Sequence, residues 1–570
     1  MSDMKHKDWW ALAEAAAEAM VKATANAPLA RLTRQPYDPS TIARSVAAFT
    51  GSLWSKPAEV MELQLQAARQ WGEFWGRTFT GIETPKPKDR RFSAEAWQDD
   101  PHYRVIRDSY LLAAEQLRAL VGKGEGDAST RAMVYFLLDQ YLNAIAPTNF
   151  PFANPEVVDR TRETGGANLV HGFAHLLEDI SSGKGIVRRR TDPGAFEKGK
   201  TIAATPGWVV YENDLFQLIQ YNPATPTVDA EPLLYVPPLV NRYYMIDLQP
   251  RSSLVKWLVD QGRTVFVISW VNPAEELRDK GIDDYVLSGV VEAIDVVRER
   301  TGARPNLFAF CLGGTLAIIA LAWLAAKGRG ADVNSATLIG TMIDFADMRD
   351  WAAFVHEAHA DALEEHLAQQ GFIDSIELQQ LFSAMRANDL IWSSVVNHYL
   401  LDRAAPPSDL LYWFEDGARI PAAFVASFNR ALLLENRLVG GAGFSVGGEA
   451  IDLARITTPL LSIALKDDHV SAWDAVYRGA QFLKADFLLG GSGHNAGVIN
   501  PPSANKHGYW INDSHADVAD DWFAGAQRYD GSWWPHWLEW LARHGSDERV
   551  AGRAISDGIE PAPGAYVRKP

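Results

Sequence analysis

Asn306-Leu307-Phe308-Ala309-Phe310-Cys311-Leu312-Gly313-Gly314-Thr315 reads as a strand, a tight turn and the first residues of a helix. Leu307 to Phe310 is an unbroken apolar run, as a strand buried on both faces requires. Gly313 and Gly314 remove side chains just past the turn, and the segment from Thr315 to Ala326 continues as a helix. A turn of this shape aims residue 311 out of the top of a sheet. It also sets the sulfur at a helix N-terminus, where unpaired N–H groups and the helix dipole favour a thiolate. The usual form of such an elbow is Gly-x-Ser-x-Gly. Here Ala309 and Cys311 stand in for the first Gly and the Ser, and Gly313 keeps the second small position. Cys311 is the only cysteine in 570 residues, which excludes intrachain disulfides, thiolate zinc clusters and iron–sulfur centres.

Outward from this stretch, short apolar runs alternate with helical patterns. The runs are Pro232 to Val236, Thr264 to Trp270, Asn306 to Phe310, Ala336 to Gly340, Leu460 to Leu465 and Asp486 to Leu489. Strands alternating with helices imply parallel pairing through right-handed crossovers, hence an α/β sheet. Trp208 to Tyr211 and Phe216 to Tyr221 predict a hairpin ahead of them. Between the strands near 340 and 460 the rhythm breaks for a long, mostly helical stretch rich in Trp, Phe and Leu, expected to form a cap inserted at about 342–455. Residues 1–190 read as a helical N-terminal domain, and 191–570 as the catalytic domain. In the first, Met61, Leu65, Ala68, Trp71 and Trp75 make one apolar stripe. The Pro-rich tail after Glu560 reads as weakly structured.

The formal net charge is −17. Nucleic-acid binding needs a basic stripe and attraction to anionic lipid needs a basic face, so both are disfavoured. Met1 to Ala23 mixes Lys5, Lys7, Asp8, Glu14 and Glu18 among its apolar residues, unlike a signal peptide. The longest apolar run, Leu316 to Ala326, has eleven residues, short of the ~20 a membrane span requires. A cytoplasmic protein with no membrane span is expected.

Two further groups complete a catalytic set. The strand Leu460 to Leu465 ends at Lys466-Asp467-Asp468-His469, and Asp486 to Leu489 opens into Gly490-Gly491-Ser492-Gly493-His494-Asn495-Ala496-Gly497. Nucleophile, acid and histidine then follow in the chain order of the α/β-hydrolase fold, each at a strand end. Asp467 and Asp468 are equal candidates for the acid. His469 stands too close in sequence to receive a triad hydrogen bond from it, so His494 is the expected base. One oxyanion donor is expected from the backbone N–H of Leu312. The other is expected from the loop Pro237-Pro238-Leu239-Val240, where the prolines carry no N–H and Leu239 or Val240 must supply it.

With these residues, the chain resembles the polyhydroxyalkanoate synthases, most of all those of class I, from about residue 90 to the C-terminus. Blocks that carry the resemblance are Asn149-Phe150, Asn154-Pro155-Glu156-Val157, Glu163-Thr164-Gly165-Gly166, Val236-Pro237-Pro238 and Asn241-Arg242-Tyr243-Tyr244. Others are Phe310-Cys311-Leu312-Gly313-Gly314-Thr315, Asn388-Asp389-Leu390-Ile391-Trp392, Gly493-His494-Asn495-Ala496-Gly497 and Gly531-Ser532-Trp533-Trp534-Pro535. The family's Gly-x-Cys-x-Gly has Ala309 at its first position here. The resemblance implies Cys311 as nucleophile, Asp468 as acid, His494 as base, and Leu312 and Val240 as oxyanion donors. It implies an acyltransferase that polymerises (R)-3-hydroxyacyl-coenzyme A into polyester through an acyl-cysteine, with no metal or other cofactor. The partners it implies are that substrate, the growing polyester, a granule surface and a second copy in a homodimer.

Rival readings are a cysteine thioesterase or lactone hydrolase of the same fold, and a non-catalytic granule-binding protein. The blocks outside the triad favour the synthase over the first, and the ordered triad opposes the second. His356, His359 and His366 lack His-Glu-x-x-His spacing and read as a solvated cap helix. Trp533, Trp537 and Trp540 share a helix face and read as a docked core helix.

Overall fold

The computed structural model describes residues 39–82, 85–181, 190–192, 194–439, 443–514 and 516–569. The N-terminal stretch read for a targeting signal lies outside them. No helix among the described residues is long and apolar enough to cross a membrane. The chain divides into two compact units. One lies within Met1–Pro193 and takes in Ala352–Phe354 and Gln380–Pro407; the other comprises Gly194–Trp351, Val355–Gln379 and Ser408–Pro570.

The larger unit is built on an eleven-stranded sheet. Its strands are β1 Gly207–Glu212, β2 Phe216–Tyr221, β3 Leu233–Val236, β4 Val265–Trp270, β5 Asn306–Phe310, β6 Ser335–Ile339, β7 Leu460–Leu465, β8 Asp486–Gly490, β9 Tyr509–Ile511, β10 Gln527–Tyr529 and β11 Glu560–Pro561. Their spatial order is β10-β9-β8-β7-β6-β5-β3-β4-β2-β1-β11. The six strands read from apolar runs form the contiguous parallel centre, β8 to β4. Strands β3 to β7 are buried along their whole length, which is why they read as continuous rather than alternating apolar segments. The predicted hairpin β1–β2 is antiparallel and joins the centre through β2 and β4. The short antiparallel strands β9, β10 and β11 extend both edges.

Two helices hold the sheet from its faces. The helix after β5, Leu312–Ala326, is apolar all round and is buried from Gly313 to Ala322. Near the C-terminus, Trp534–His544 brings Trp534, Trp537 and Trp540 into the core beside Trp533. The Trp537 indole donates to Thr337 Oγ1 at 2.9 Å, tying this helix to β6. The docked-core reading of these tryptophans holds.

Two expectations need correction. The tail after Glu560 is ordered: β11 pairs with β1, Val567 is buried, and Arg242 donates to the carbonyls of Tyr566 and Lys569. Its anchors are backbone groups caught by distant side chains, which composition does not display. The histidine-bearing helix Glu357–Gln370 is not simply solvated: His359 is buried, and His366 Nε2 lies 2.8 Å from Glu377 Oε1. Among the described residues no group of three or more His, Cys, Asp or Glu is arranged to hold a metal ion.

The smaller unit shows where the apolar stripe read from the sequence lies. Its described residues form helices, among them α1 Pro39–Trp54, α2 Pro57–Thr80, α3 Pro101–Val121 and α4 Ala128–Ala144. Asp127 caps α4 by accepting from Thr130 N at 2.7 Å. The stripe on α2 does not face a core. Trp71 leaves it, turning toward α3 to donate to Gln116 Oε1 at 3.0 Å. Met61, Leu65 and Trp75 are exposed, and no residue of α2 is buried.

Candidate active site

Cys311 follows directly on β5, with φ 51° and ψ −125°. A side chain at positive φ is strained; two hydrogen bonds to Cys311 and one between its neighbours hold the turn. Cys311 N–H donates to the Ile339 carbonyl at 2.9 Å. Thr341 Oγ1 donates to the Cys311 carbonyl at 3.3 Å, and Thr315 Oγ1 donates to the Met342 carbonyl at 2.9 Å. The two glycines have steric reasons. A Cβ on Gly313 would stand 2.3 Å from the Val236 carbonyl oxygen, and one on Gly314 would stand 1.9 Å from Thr341 Oγ1. Ala309 lies inside β5 with no exposed surface, paired with Val236 and Leu338, so its extra methyl is absorbed by the sheet.

The close approach of Gly313 to Val236 and Pro237 brings the start of the helix against the turn after β3. Leu312 is the first residue of that helix. The β3 turn carries Val240 and is pinned at several points. Trp270 Nε1 donates to the Pro237 carbonyl at 2.9 Å, Ala418 N–H to the Val240 carbonyl at 3.4 Å, and Trp413 Nε1 to the Arg242 carbonyl at 2.6 Å. Such fixed peptides are what a pre-organised oxyanion site needs.

Geometry separates the two aspartates. Asp467 is exposed, whereas the Asp468 carboxylate is buried. Asp468 Oδ1 accepts from the N–H groups of Val470 and Ser471 at 2.8 and 2.9 Å, and its Oδ2 lies 2.6 Å from His494 Nδ1. The imidazole is also buried. Burial alone would lower its pKa, but the charges of Asp468 and of the Cys311 sulfur, and hydrogen bonds to both, push it up to about 10. His494 therefore faces the acid on one side and the sulfur on the other. His469 makes no part of this pair.

Several supporting residues were not singled out from the sequence as parts of a site. The Phe310 ring lies against the imidazole, with centroids 4.6 Å apart. Gly340, at φ 52°, lets the backbone run beneath the pair; a Cβ there would meet His494, Phe310 and Asp468 at 3.4–3.5 Å. The histidine loop is held by Trp533 Nε1 on the Gly497 carbonyl at 2.9 Å and Trp534 Nε1 on the Val498 carbonyl at 3.0 Å. The Gly531–Pro535 block is the one signal of this that the sequence carries.

Compared with known proteins, the chain is 39% identical over 533 residues to the poly(3-hydroxyalkanoate) polymerase of Methylorubrum extorquens, covering 90% of this chain and 88% of that one. It belongs to the poly(3-hydroxyalkanoate) polymerase family. The poly(3-hydroxyalkanoate) polymerase subunit PhaC of Cupriavidus necator is 40% identical over 526 residues, covering 90% of this chain and 89% of that protein. The corresponding subunit of Rhizobium meliloti is 38% identical over 530 residues, with 90% and 86% covered. The family described as the poly-beta-hydroxybutyrate polymerase (PhaC) N-terminus matches residues 88–258, and the alpha/beta hydrolase fold matches 232–501. These agree with the class I resemblance and with the fold read from the sequence.

Proposed function

We propose that this chain is an acyltransferase that polymerises (R)-3-hydroxyacyl-coenzyme A into polyester with release of coenzyme A. The observation that carries the reading is the extended similarity to a poly(3-hydroxyalkanoate) polymerase along nearly the whole of both chains. In this reading Cys311 is the nucleophile, His494 the proton carrier and Asp468 its orienting acid. The N–H groups of Leu312 and Val240 hold the oxyanion.

The sulfur of Cys311 attacks the thioester carbonyl once its proton has passed to His494. A tetrahedral oxyanion forms, then collapses to an acyl-cysteine thioester, and the departing coenzyme A sulfur takes the proton back from His494. The hydroxyl of a second hydroxyacyl unit next loses its proton to His494 and attacks an acyl thioester, forming an ester and freeing a thiol. A cysteine suits this cycle because its acyl form is still an activated thioester. An alcohol must win over water as acceptor, so the reacting centre must be dry. We assign that task to a cap formed by the insertion at about 342–455, within a catalytic domain of 191–570 that follows a helical domain of 1–190. The enzyme works as a homodimer in the cytoplasm, at the surface of its own polyester granules.

Supplying (R)-3-hydroxyacyl-coenzyme A should yield insoluble polyester together with free coenzyme A. Free hydroxy acid in place of polymer would overturn the reading in favour of a hydrolase. Cys311→Ala should abolish both products while leaving the melting temperature within a few degrees; continued polymer synthesis would overturn the assignment of the nucleophile.

A further inference from the structure

The turn after β3 runs into Arg242, and the guanidinium of that residue grips the segment that follows β11. Arg242 is only 5% exposed. Its Nη1 donates to the Tyr566 carbonyl at 3.4 Å and its Nη2 to the Lys569 carbonyl at 2.7 Å. Its Nε makes no hydrogen bond among the described residues and lies 3.9 Å from Asp416 Oδ1. The other oxygen of Asp416 accepts from Tyr244 at 2.7 Å and meets Lys198 Nζ at 2.6 Å, which in turn donates to the Val567 carbonyl at 3.0 Å. Gln217 of β2, fully buried, anchors the same segment: it accepts from Tyr566 N–H at 3.0 Å and donates to Glu560 Oε1 at 2.6 Å. Burial works against the charge on Arg242 and lowers its pKa. An apolar side chain would fill this space at less cost. What a guanidinium adds is direction, because its rigid fork fixes two acceptors at once.

The backbone of Arg242 is held as firmly. Its N–H donates to Asn241 Oδ1 at 2.7 Å, and its carbonyl accepts from Trp413 Nε1 at 2.6 Å. Asn241 bridges to Gly417. Val240, by contrast, is tied by a long bond, 3.4 Å, from Ala418 N–H to its carbonyl. We propose that Arg242 is a positioning residue: by fastening the turn to residues 566–569 it aims the Val240 N–H at the forming oxyanion. The proposal rests on the reading of Cys311 as nucleophile and of Val240 as second donor. It adds the C-terminal segment to the parts on which acyl transfer depends. Without the grip, Leu312 alone would face the oxyanion, and loss of one such donor slows acyl transfer by ~10²–10³-fold.

Two reactions of Cys311 separate this role from general support. Attack on a thioester builds an oxyanion, whereas attack on iodoacetamide expels iodide from a saturated carbon and builds none. Both need the same thiol and the same His494. Arg242→Met, which keeps the length and removes the donors, should release coenzyme A in the first turnover roughly 100-fold more slowly than wild type. Its KM should stay within ~3-fold of wild type, and its alkylation by iodoacetamide within ~2-fold. Arg242→Lys, which keeps a donor for the carbonyls of the segment, should recover at least ~10-fold of the loss. Gln217→Leu, which frees Tyr566 from β2, should slow the same step, and its effect combined with Arg242→Met should be less than the product of the two. If Arg242→Met alone fails to fold, Gln217→Leu carries the test through the same two reactions. Equal slowing of both reactions, unchanged acylation, or multiplicative effects overturn the proposal. So does failure of both variants to fold, which would assign these contacts to stability. A wild-type enzyme that makes free hydroxy acid instead of polymer fails the polymerase reading and leaves this one to be decided, because both chemistries begin with acyl transfer to Cys311.

Discussion

The parallel centre of the sheet and the helix α2 use apolar residues in opposite ways. Strands β3 to β7 bury every residue, whereas α2 buries none across 24 residues. In the sheet, burial fixes the position of each strand end, so the groups at the ends of β5, β7 and β8 gather at one edge, with Asp468 and His494 2.6 Å apart. On α2 the same kinds of side chain form a regular stripe that stays exposed among the described residues. The comparison teaches that apolar periodicity reports a surface that wants covering, and only the neighbours decide whether the chain covers it itself.

The sharpest test of the sheet side is Asp468→Asn. It keeps the shape but removes the charge that orients and charges His494, and the polymerisation rate should fall by roughly 10²–10⁴-fold. In the same variant the His494 pKa should drop well below its value of about 10, as read by NMR titration of the imidazole. An unchanged rate would break the claim that the strand ends act as one set.

A second test asks how little room the elbow has. A Cβ at residue 314 would fall 1.9 Å from Thr341 Oγ1, so Gly314→Ala should cost about 1–3 kcal/mol in urea unfolding and lower turnover with it. A neutral result would mean that the β6 end can retreat from Cys311.

The pH dependence of stability offers a third. The folded-state pKa of His494 lies above the ordinary value of 6.5. Its contribution is therefore fully present below pH ~6.5 and is lost as the pH rises through about 10. Urea melts between pH 6 and 10 should show stability falling toward alkaline pH, and Asp468→Asn should flatten that fall.

The smallest effect belongs to α2. Gly76 lies in the helix interior, and a Cβ there would meet nothing within 4 Å. Gly76→Ala should stabilise the protein by about 0.5–1 kcal/mol through helix propensity alone, seen as a small rise in melting temperature. The opposite signs expected at residues 314 and 76 restate the contrast between a crowded region and an open one.

Much of this was legible in the chain itself. Strands buried on both faces must be apolar throughout, so six of them stood out, and their alternation with helices implied the parallel order. The strand–Cys311–helix setting, the acidic pair after β7 and the glycine-rich loop bearing His494 were local signals of the same kind. The edge strands β9 to β11 were not, because short antiparallel edges need few apolar residues. The ordered tail was hidden for a related reason: Arg242 and Gln217, hundreds of residues away, hold its backbone.

By itself the sequence determined the class of fold, the order of the proposed catalytic groups and a single possible thiol, because these depend on local periodicity and on which residue types occur. The family resemblance already pointed to Asp468 over Asp467, but only the tertiary structure showed why the two differ, by burying Asp468 and giving its oxygens two N–H donors and an imidazole. It also decided that Phe310, Gly340, Trp533 and Trp534 support His494, and that the stripe on α2 faces outward. Each of these is a contact between distant segments, and distance in space is the one quantity that the order of residues does not contain.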